Sequence, residues 1–555
     1  MRVVTVGLTA VAAVTVALPL LPAFTPRAAL ACVVGTGSGT CTESTLNTCL
    51  PGGGSFDGTV TFNCGGAATI IVTGTKTVSA DTSIDGGGLI TISGGNSVGV
   101  FSVNTGVNFT VQNLSVTNGY SARGGGIANG GITGAGRVIV GGTLTVTNST
   151  FSNNSANRGG STYNGGGAIE NIGTLTVTNS TFSGNSANHG ASPYNGGGAI
   201  ENLGTLTVTN STFSGNNSTA DGGAIVNETG AIENGGVLTV TNSTFSGNNS
   251  AEDGGGIASG DGTTLTVTNS TFSGNSADSG GAINSSGTLT VTNTIVANSL
   301  SGGNCQSDGV TTDGGHNIDD DGSCGFSTGT THPQLDPAGL KSNGGPTQTI
   351  ALQMGSPAID AGDETVCSMP PVNNLDQRGY VRPGNGATSC SIGAYEYNAV
   401  PASPSLTSAI TATDTCIPVS DTSIFSPTGG FALIGTELIS YTGLGTSCSG
   451  ASAARASAGT AATAGVLTGV TRNLNGQGGA HATGTTVTPT AAPCVGDCNG
   501  DGSVTVDEII TMVNIALGNA PVTACEAGDA NHDGQITVDE ILAAVNNALN
   551  GCSVP

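Results

Sequence analysis

Apolar and polar side chains alternate along a nine-residue phrase that recurs through the middle of the chain. The phrase LTVTNSTFS occupies 144–152, 175–183, 206–214, 238–246 and 265–273, and the related LTVTNTIVA occupies 289–297. Alternation with a period of two residues, rich in Thr and Val, predicts short β-strands. A GGAI segment before the phrase and an FSGN segment after it, bounded by Gly and Asn turns, predict two further short strands in each repeat.

The spacing of the repeat predicts how these strands are arranged. The Asn of LTVTN falls at positions 148, 179, 210, 242, 269 and 293, in steps of 31, 31, 32, 27 and 24 residues. Three short strands in about 24 residues form one coil of a parallel β-solenoid, in which each residue lies above its copy in the next coil. We therefore expect Val146, Val177 and Val208 on one face, Phe above Phe, and ladders of Asn amides in the turns. The alternative, an array of β-sandwiches, would repeat at roughly 90 residues.

Composition and charge narrow the possible partners. The chain has 555 residues, of which 93 are glycine and none is tryptophan, and its formal net charge is −25. A chain of this length exceeds one compact core, so several domains or a repeat array are expected. The strong acidity excludes nucleic acid and anionic membranes as natural partners and favours divalent cations.

The N-terminus predicts export from the cytoplasm. Residues 1–31 combine Arg2, a long apolar run and the small-residue site Ala29-Leu30-Ala31, which is typical of a cleaved signal peptide. The alternatives are an uncleaved membrane anchor, since the run approaches spanning length, and a lipid on Cys32 directly after the cleavage site. We therefore expect a secreted protein or one on the outer cell surface.

The fourteen cysteines lie toward the two ends of the chain and spare the repeats. The first four are Cys32, Cys41, Cys49 and Cys64. Three local couples follow, Cys305/Cys324, Cys367/Cys390 and Cys416/Cys448, and the last four are Cys494, Cys498, Cys525 and Cys552. An even number in an exported protein predicts disulfides, whose complete pairing the sequence leaves open, whereas a lipid on Cys32 would leave an odd number.

Two stretches resemble modules of bacterial surface proteins. The GGAI and FxxN motifs of the repeats resemble those of polymorphic outer-membrane autotransporters and, more broadly, of the right-handed parallel β-helix superfamily. The resemblance covers about 95–300 and implies a right-handed β-helix, to which we assign 95–334. We assign 32–94 to a cap that covers the exposed edge of its first coil. The phrases SPAIDAG, DQRG and IGAYE within 335–398 resemble the choice-of-anchor Q domain, which implies placement at a cell surface or in the secreted fraction. Residues 399–490 are interpreted as a small β module and linker.

The sequence offers few candidates for catalysis, although β-helix proteins include polysaccharide-degrading enzymes. Glu170, Glu201 and Glu233 all lie in the repeated AIEN phrase, which favours solvent-facing ladder residues over a catalytic group. One further constellation joins His316 with Asp319, Asp320 and Asp321 in a Gly-rich loop, where a structural role is the favoured interpretation. We therefore predict no active site.

Two loops near the C-terminus fit the EF-hand pattern D-x-[DN]-x-[DN]-G-x5-E, which predicts calcium binding. Ca²⁺ takes six to eight oxygen ligands around a sharp turn, and Gly502 and Gly534 occupy the turn position. The predicted ligands of the first loop are Asp497, Asn499, Asp501, Ser503, Thr505 and Glu508. Those of the second loop are Asp529, Asn531, Asp533, Gln535, Thr537 and Glu540.

The segment 491–555 resembles a type I dockerin, because each loop is followed by an amphipathic helix and preceded by none. In cellulosome proteins a dockerin attaches an enzyme to a cohesin scaffold. Positions 10 and 11 of the loops usually hold Ser or Thr, but here they are Val506/Asp507 and Val538/Asp539, which argues against a cohesin partner. Eight apolar side chains of the two helices are expected to pack face to face: Ile509, Met512, Val513, Leu517, Ile541, Leu542, Val545 and Leu549.

Two functions are compatible with these features. The first is a secreted or cell-surface calcium-binding β-helix protein that serves in adhesion or glycan binding, with extracellular glycans or a surface receptor as partners and no catalysis. The second is an extracellular polysaccharide lyase or glycoside hydrolase of the β-helix class that carries a dockerin-like module.

Overall fold

The computed structural model describes most of the chain from residue 31 onward. It covers 31–133, 138–157, 165–188, 196–228, 236–402, 410–420, 430–435, 437–445, 465–472, 479–481, 485–490, 495–498, 504–529 and 535–550, with the single residues 404, 406, 422, 425 and 474. The predicted signal peptide lies outside the described residues except for Ala31.

Three parallel sheets run along a solenoid of about eight turns. The long sheet has 19 strands: Cys32–Val34, Thr59–Phe62, Ala68–Ile71, Thr82–Ser93, Asn108–Thr117, Thr143–Thr147, Thr150–Ser152, Thr174–Thr178, Thr181–Ser183, Thr205–Thr209, Thr212–Ser214, Val237–Thr241, Thr244–Ser246, Thr264–Thr268, Thr271–Ser273, Thr288–Thr292, Ile295–Ala297, Val310–Asp313 and Ile318–Asp319. The nine-stranded sheet contains Lys76–Val78, Phe101–Val103, Ile127–Asn129, Ile169–Asn171, Ile200–Asn202, Ile225–Asn227, Ile257–Ser259, Ile283–Ser285 and Cys305–Ser307. The five-stranded sheet contains Tyr120–Ser121, Ser155–Asn157, Ser186–Asn188, Asn217–Ser218 and Asn249–Ser250. The prediction of a mainly β parallel solenoid is confirmed.

The strands stack in the register that the repeats predict. Val146 pairs with Val177, and Val177 with Val208, in parallel strands. All three side chains are fully buried. The coils therefore share one continuous core, because every inward residue lies against its own copy.

Two ladders fill and tie this core. The rings of Phe151, Phe182, Phe213, Phe245 and Phe272 stack with centroids 4.6–5.0 Å apart and planes within 6° of parallel. A second ladder runs through buried asparagines in the turn after each Phe strand: Asn154, Asn185, Asn216, Asn248 and Asn275. Each amide nitrogen in the first four donates to the amide oxygen of the next at 2.9–3.0 Å, as the amide-ladder prediction requires.

Substitution of Asn216 by alanine tests this ladder. The Asn216 amide donates to Phe182 O and Asn248 Oδ1, and its oxygen accepts from Asn185. Because the partners would stay buried without water, we expect a loss of about 2–3 kcal/mol in unfolding free energy. Urea denaturation followed by circular dichroism measures the change. The exposed Asn249→Ala variant is the control, and an equal effect of both substitutions would contradict the ladder's role.

The first coils join the same solenoid and are closed by a short helix. Cys32–Val34 pairs in parallel with Thr59–Phe62, so coil stacking begins at Cys32. Helix Glu43–Cys49 buries Leu46 and Cys49 against the first coil. Disulfides Cys32–Cys49 and Cys41–Cys64 fix this helix and its flanks. The edge that the sequence analysis expected to be capped is thus covered by a helix.

The segment 335–398 lies along the side of the solenoid and has little regular structure of its own apart from helix Glu364–Ser368. Gln377 is buried and binds Thr212 Oγ1 and Thr244 Oγ1 at 2.8 and 2.6 Å. Ala394 N donates to Thr271 Oγ1, and Asn293 exchanges hydrogen bonds with Asp363. We call this segment the side brace, because it contacts four consecutive coils.

The remaining elements lie in a hairpin and in the C-terminal part. The hairpin pairs Gly131–Thr133 with Val138–Val140 in antiparallel orientation. Two antiparallel three-stranded sheets follow the side brace, one of Ile417–Val419, Gly443–Gly445 and Gly465–Thr468, the other of Gly430–Ile434, Glu437–Tyr441 and Val487–Thr490. Helices Val506–Ala516 and Val538–Asn550, with 3-10 turns Val522–Ala524 and Glu526–Gly528, complete the described chain.

Candidate functional site

The C-terminal loops bury the carboxylates that are predicted to bind calcium. Asp497, Glu508, Asp529 and Glu540 are each 5–8% exposed. Thr505 and Thr537 precede the two helices, and Gln535 lies at an exposed position in the second loop. Five predicted ligands fall outside the described residues: Asn499, Asp501, Ser503, Asn531 and Asp533.

Hydrogen bonds position the last carboxylate of each loop in the same way. Glu508 Oε2 accepts from the amide and hydroxyl of Thr505 at 2.7 and 2.8 Å, and Glu540 Oε2 accepts from those of Thr537 at 2.8 and 3.0 Å. Glu508 Oε1 also accepts from Cys498 N at 2.9 Å, which brings the start and end of the first loop together. The described ends of the two loops therefore share one hydrogen-bonded arrangement of Thr and Glu.

The charge of this module fits a bound cation. Residues 491–555 contain nine Asp and Glu but no Lys or Arg. A buried carboxylate is costly unless it is paired or coordinates a metal. No cluster of three His, Cys, Asp or Glu side chains occurs within the part of the chain that the structure describes, but both loops have their central positions outside that part. The oxygen donors at the remaining positions fit Ca²⁺.

The predicted face-to-face packing of the two helices is only partly correct. Met512, Ile509 and Ile541 contribute to the core of the module, together with Val504, Ile515, Cys525, Ile536 and Ala544. Val513, Leu517, Leu542 and Leu549 are instead exposed, Leu517 at 70% and Leu549 at 78%. The prediction was wrong for these four because Val504, Cys525 and Ile536, which lie outside the two helices, supply part of the core in their place. Disulfide Cys498–Cys525 lies beside this core.

A buried ionic cluster within the side brace uses the DQRG and IGAYE phrases. Arg382 donates to Glu396 Oε2 at 3.1 Å and to the carbonyls of Ser391 and Gly393 at 2.7 and 2.6 Å. Glu396 also accepts hydrogen bonds from the amide and the hydroxyl of Ser391. Burial raises the pKa of Glu396, while Arg382 opposes that rise.

A second ion pair adjoins the first. Arg378 binds Asp376 at 2.7 Å and lies between the rings of Tyr380 and Tyr395, 4.1 and 3.7 Å from their centroids. Asp376 also accepts a hydrogen bond from the backbone amide of Glu396 at 3.0 Å, which joins the two ion pairs. These residues are buried and mutually paired, so the phrases build the brace and expose no reactive group.

Comparison with known proteins concerns the repeats alone. Residues 210–228 and 269–286 match the Chlamydia polymorphic membrane protein repeat. Each match begins at the LTVTN asparagine and continues through the Phe strand to the next strand of the nine-stranded sheet. These two segments of the solenoid are thus similar to the polymorphic membrane protein repeat. No curated protein and no solved structure matches the chain.

Other features bear on an exported location. The predicted couples Cys305–Cys324 and Cys367–Cys390 form disulfides, and no free cysteine occurs among the described residues. No helix in the described ranges is long and apolar enough to cross a membrane. The repeats and the disulfides together suggest an outer-surface or extracellular protein.

The acidic residues after His316 make structural hydrogen bonds at the end of the solenoid. Asp319 is buried and accepts from Asn304 Nδ2 and Cys324 N at 2.8 and 2.7 Å. Asp320 accepts from Asn298 N and Asn304 Nδ2. His316 is exposed, and its Nδ1 contacts Ala361 O of the side brace at 2.7 Å. The histidine therefore does not combine with the carboxylates, in agreement with the structural interpretation.

The glutamates of the AIEN phrase are not solvent-facing, so that expectation was wrong. Glu170 and Glu201 are only 2% and 4% exposed. Arg123 of the preceding coil pairs with the Glu170 carboxylate at 2.6 Å and covers it. The exposure of an outward side chain depends on which side chains of the neighbouring coils cover it. The alternation of residues within one strand does not reveal these neighbours. Glu233 lies outside the described residues.

Proposed function

We propose that this chain is a secreted or cell-surface, calcium-binding β-helix protein that serves in adhesion or glycan binding without catalysis. The observation that carries the proposal is the stacking of the repeats into a rod in which the ion pairs Arg123–Glu170, Arg378–Asp376 and Arg382–Glu396 and the hydrogen-bonded Asp319 make structural contacts. Repeats of the polymorphic-membrane-protein type and the disulfides support the exported location. The rod is right-handed in this proposal, as expected for parallel strands joined by crossovers.

Calcium binding by the C-terminal module is part of the proposal. The two loops supply carboxylates at positions 1 and 12, amides or carboxylates at positions 3 and 5, and a backbone carbonyl from Ser503 and Gln535. The ions would neutralise the crowded acidic side chains and hold both loops closed. A cohesin-like partner is not part of this proposal, because Val506 and Val538 occupy positions where the dockerin pattern has Ser or Thr.

The alternative is an extracellular polysaccharide-degrading enzyme. It is favoured by the combination of a β-helix with a dockerin-like calcium module. Asp319, Glu170, Asp376 and Glu396 are buried in hydrogen-bonded or ion-paired positions, which is the arrangement of structural groups. A hydrolase needs two accessible carboxyl groups on either side of its substrate.

An activity screen separates the two functions. The purified chain is incubated in calcium buffer with pectins and with other acidic and neutral glycans, and reducing ends and unsaturated products are measured. We expect no saturable turnover. The Glu508→Gln/Glu540→Gln variant is the matched control, because it disables only the calcium loops. Saturable turnover that persists in this variant would reject the non-catalytic function.

A further inference from the structure

The outward side of the long sheet carries an ordered array of threonines. In each TLTVT strand the Leu and Val side chains are buried and the three Thr side chains point outward, because successive side chains of a strand alternate between faces. The middle Thr of each strand pairs in register with its copy, and eight threonines form one unbroken column. The column contains Thr110, Thr145, Thr176, Thr207, Thr239, Thr266, Thr290 and Thr312.

Two further columns flank the first and extend the array in the second dimension. One contains Thr143, Thr174, Thr205, Thr264 and Thr288, with Val237 between the third and fourth. The other contains Thr147, Thr178, Thr209, Thr241, Thr268 and Thr292. We call these three columns the threonine face. From residue 143 to residue 292 they contain no charged and no aromatic side chain.

The threonine face is flat and evenly spaced. Neighbouring strands of a sheet lie about 4.8 Å apart, and alternate residues of one strand lie about 7 Å apart. The Phe rings below the sheet repeat every 4.6–5.0 Å with interplanar angles of only 3–6°. Adjacent coils are thus related by almost pure translation, whereas strands of ordinary sheets rotate by about 20°. The Thr side chains are β-branched and therefore restricted in χ1, which keeps the grid rigid.

Every threonine of the threonine face except Thr241, which is 1% exposed, is at least partly exposed to solvent. Among the described residues, no hydrogen bond involves the hydroxyl of a middle-column Thr. The hydroxyl groups of the adjoining strands are occupied instead. Thr212, Thr244 and Thr271 are buried, and their hydroxyls form hydrogen bonds with the side brace. The brace therefore covers the neighbouring strip of the long sheet and leaves most of the threonine face open.

Core packing does not explain why the middle column is constant. Thr110 and Thr312 continue the column into strands whose other residues differ from the TLTVT repeat. These strands are NFTVQ at one end and VTTD at the other. The outward position of the nine-stranded sheet changes from coil to coil over the same length. Its residues are Ala128, Glu170, Glu201, Val226, Ala258, Asn284 and Gln306.

We propose that the threonine face binds ice. Only a ligand that itself repeats can contact every position of a regular grid of side chains. The water oxygens of an ice crystal repeat in two directions over distances of this size. Each Thr offers a hydroxyl that donates one hydrogen bond and accepts others, beside a methyl group that displaces disordered water. A rigid grid loses little conformational entropy on contact. Glycan rings are a poorer match, because the face offers no aromatic ring to stack against them.

The experiment uses the full chain in calcium buffer and measures its entry into a growing ice front and its inhibition of ice recrystallisation. Wild-type protein is expected to enter the ice and to inhibit recrystallisation. Thr176→Tyr/Thr207→Tyr places bulk at the centre of the face and should reduce inhibition by about tenfold or more, as for disruption at the centre of an interface. Asn217→Tyr places one tyrosine at an exposed position of the five-stranded sheet and should leave inhibition unchanged.

The Thr176→Val/Thr207→Val variant keeps the shape and removes only the hydroxyls, so it tests the proposal even where the tyrosines disturb folding. Unchanged circular dichroism and thermal midpoint with reduced ice binding would support the face. Exclusion of the wild-type chain from ice, or equal losses in the Asn217→Tyr control, would overturn the proposal. Threonine-dependent binding to crystalline cellulose without ice binding would also overturn it and assign the face to a glycan. The outcome is independent of whether the chain is an adhesin or an enzyme.

Discussion

Replacement of Arg382 by methionine is expected to lower the unfolding free energy by about 3–5 kcal/mol, the usual effect of removing one partner of a buried ion pair. The guanidinium is fully buried and donates to Glu396 and to the carbonyls of Ser391 and Gly393. Methionine fills similar space but leaves the Glu396 carboxylate buried without its cation and two carbonyls without a donor. The side brace should therefore open locally.

Hydrogen exchange of the intact chain measures this opening. The amides of Ser391 and Gly384 donate to Glu396, so their protection reports on the cluster. Lys341→Met is the control, because it removes only the half-exposed pair with Asp336, and exposed ion pairs contribute little to stability. Arg382→Met/Glu396→Gln should regain part of the loss, since no unpaired charge remains. Unchanged protection in Arg382→Met would contradict a structural role for the cluster.

Removal of calcium is expected to unfold most of the C-terminal module and leave the solenoid intact. The module buries a small core around Met512 and Ile515 and crowds nine acidic residues without a Lys or Arg. If the proposed sites bind calcium, binding should couple to folding, and each site should add about 2.7 kcal/mol when free calcium is about 100 times its Kd. Cys498–Cys525 limits the separation of the unfolded segments.

Titration calorimetry on the intact chain should find two Ca²⁺ ions. Glu508→Gln and Glu540→Gln should each remove one of them. Asp507→Asn and Asp539→Asn are matched controls, because these exposed carboxylates precede the ligands directly and carry the same charge. Chelator should reduce the helical circular dichroism signal and expose the last sixty or so residues to proteases. Fewer than one ion per chain, or a spectrum that chelator leaves unchanged, would reject the calcium site.

The solenoid could be predicted from the sequence because each coil repeats the environment of the last. In-register Val146, Val177 and Val208, the Phe stack and the Asn ladder all follow from one rule, that a residue lies above its own copy. A local pattern is sufficient where contacts are made only between neighbouring repeats.

Contacts that break this periodicity could not be predicted. The side brace reaches strands more than a hundred residues away, such as Gln377 to Thr212, and no spacing in the sequence reports such a pair. The burial of Glu170 depends on Arg123, a residue outside the repeated phrase. On the C-terminal helices two apolar stripes compete for one core, and helical periodicity alone does not decide which stripe is buried.

The attachment of the side brace to four coils changes how the rod responds to force. A solenoid held only by neighbour contacts can peel open one coil at a time from its end. Here Thr212, Thr244, Thr271 and Asn293 are all tied to a single downstream segment. Tension applied at the C-terminus therefore reaches several coils together and loads their bonds in parallel, so the braced half of the rod should yield as one mechanical unit.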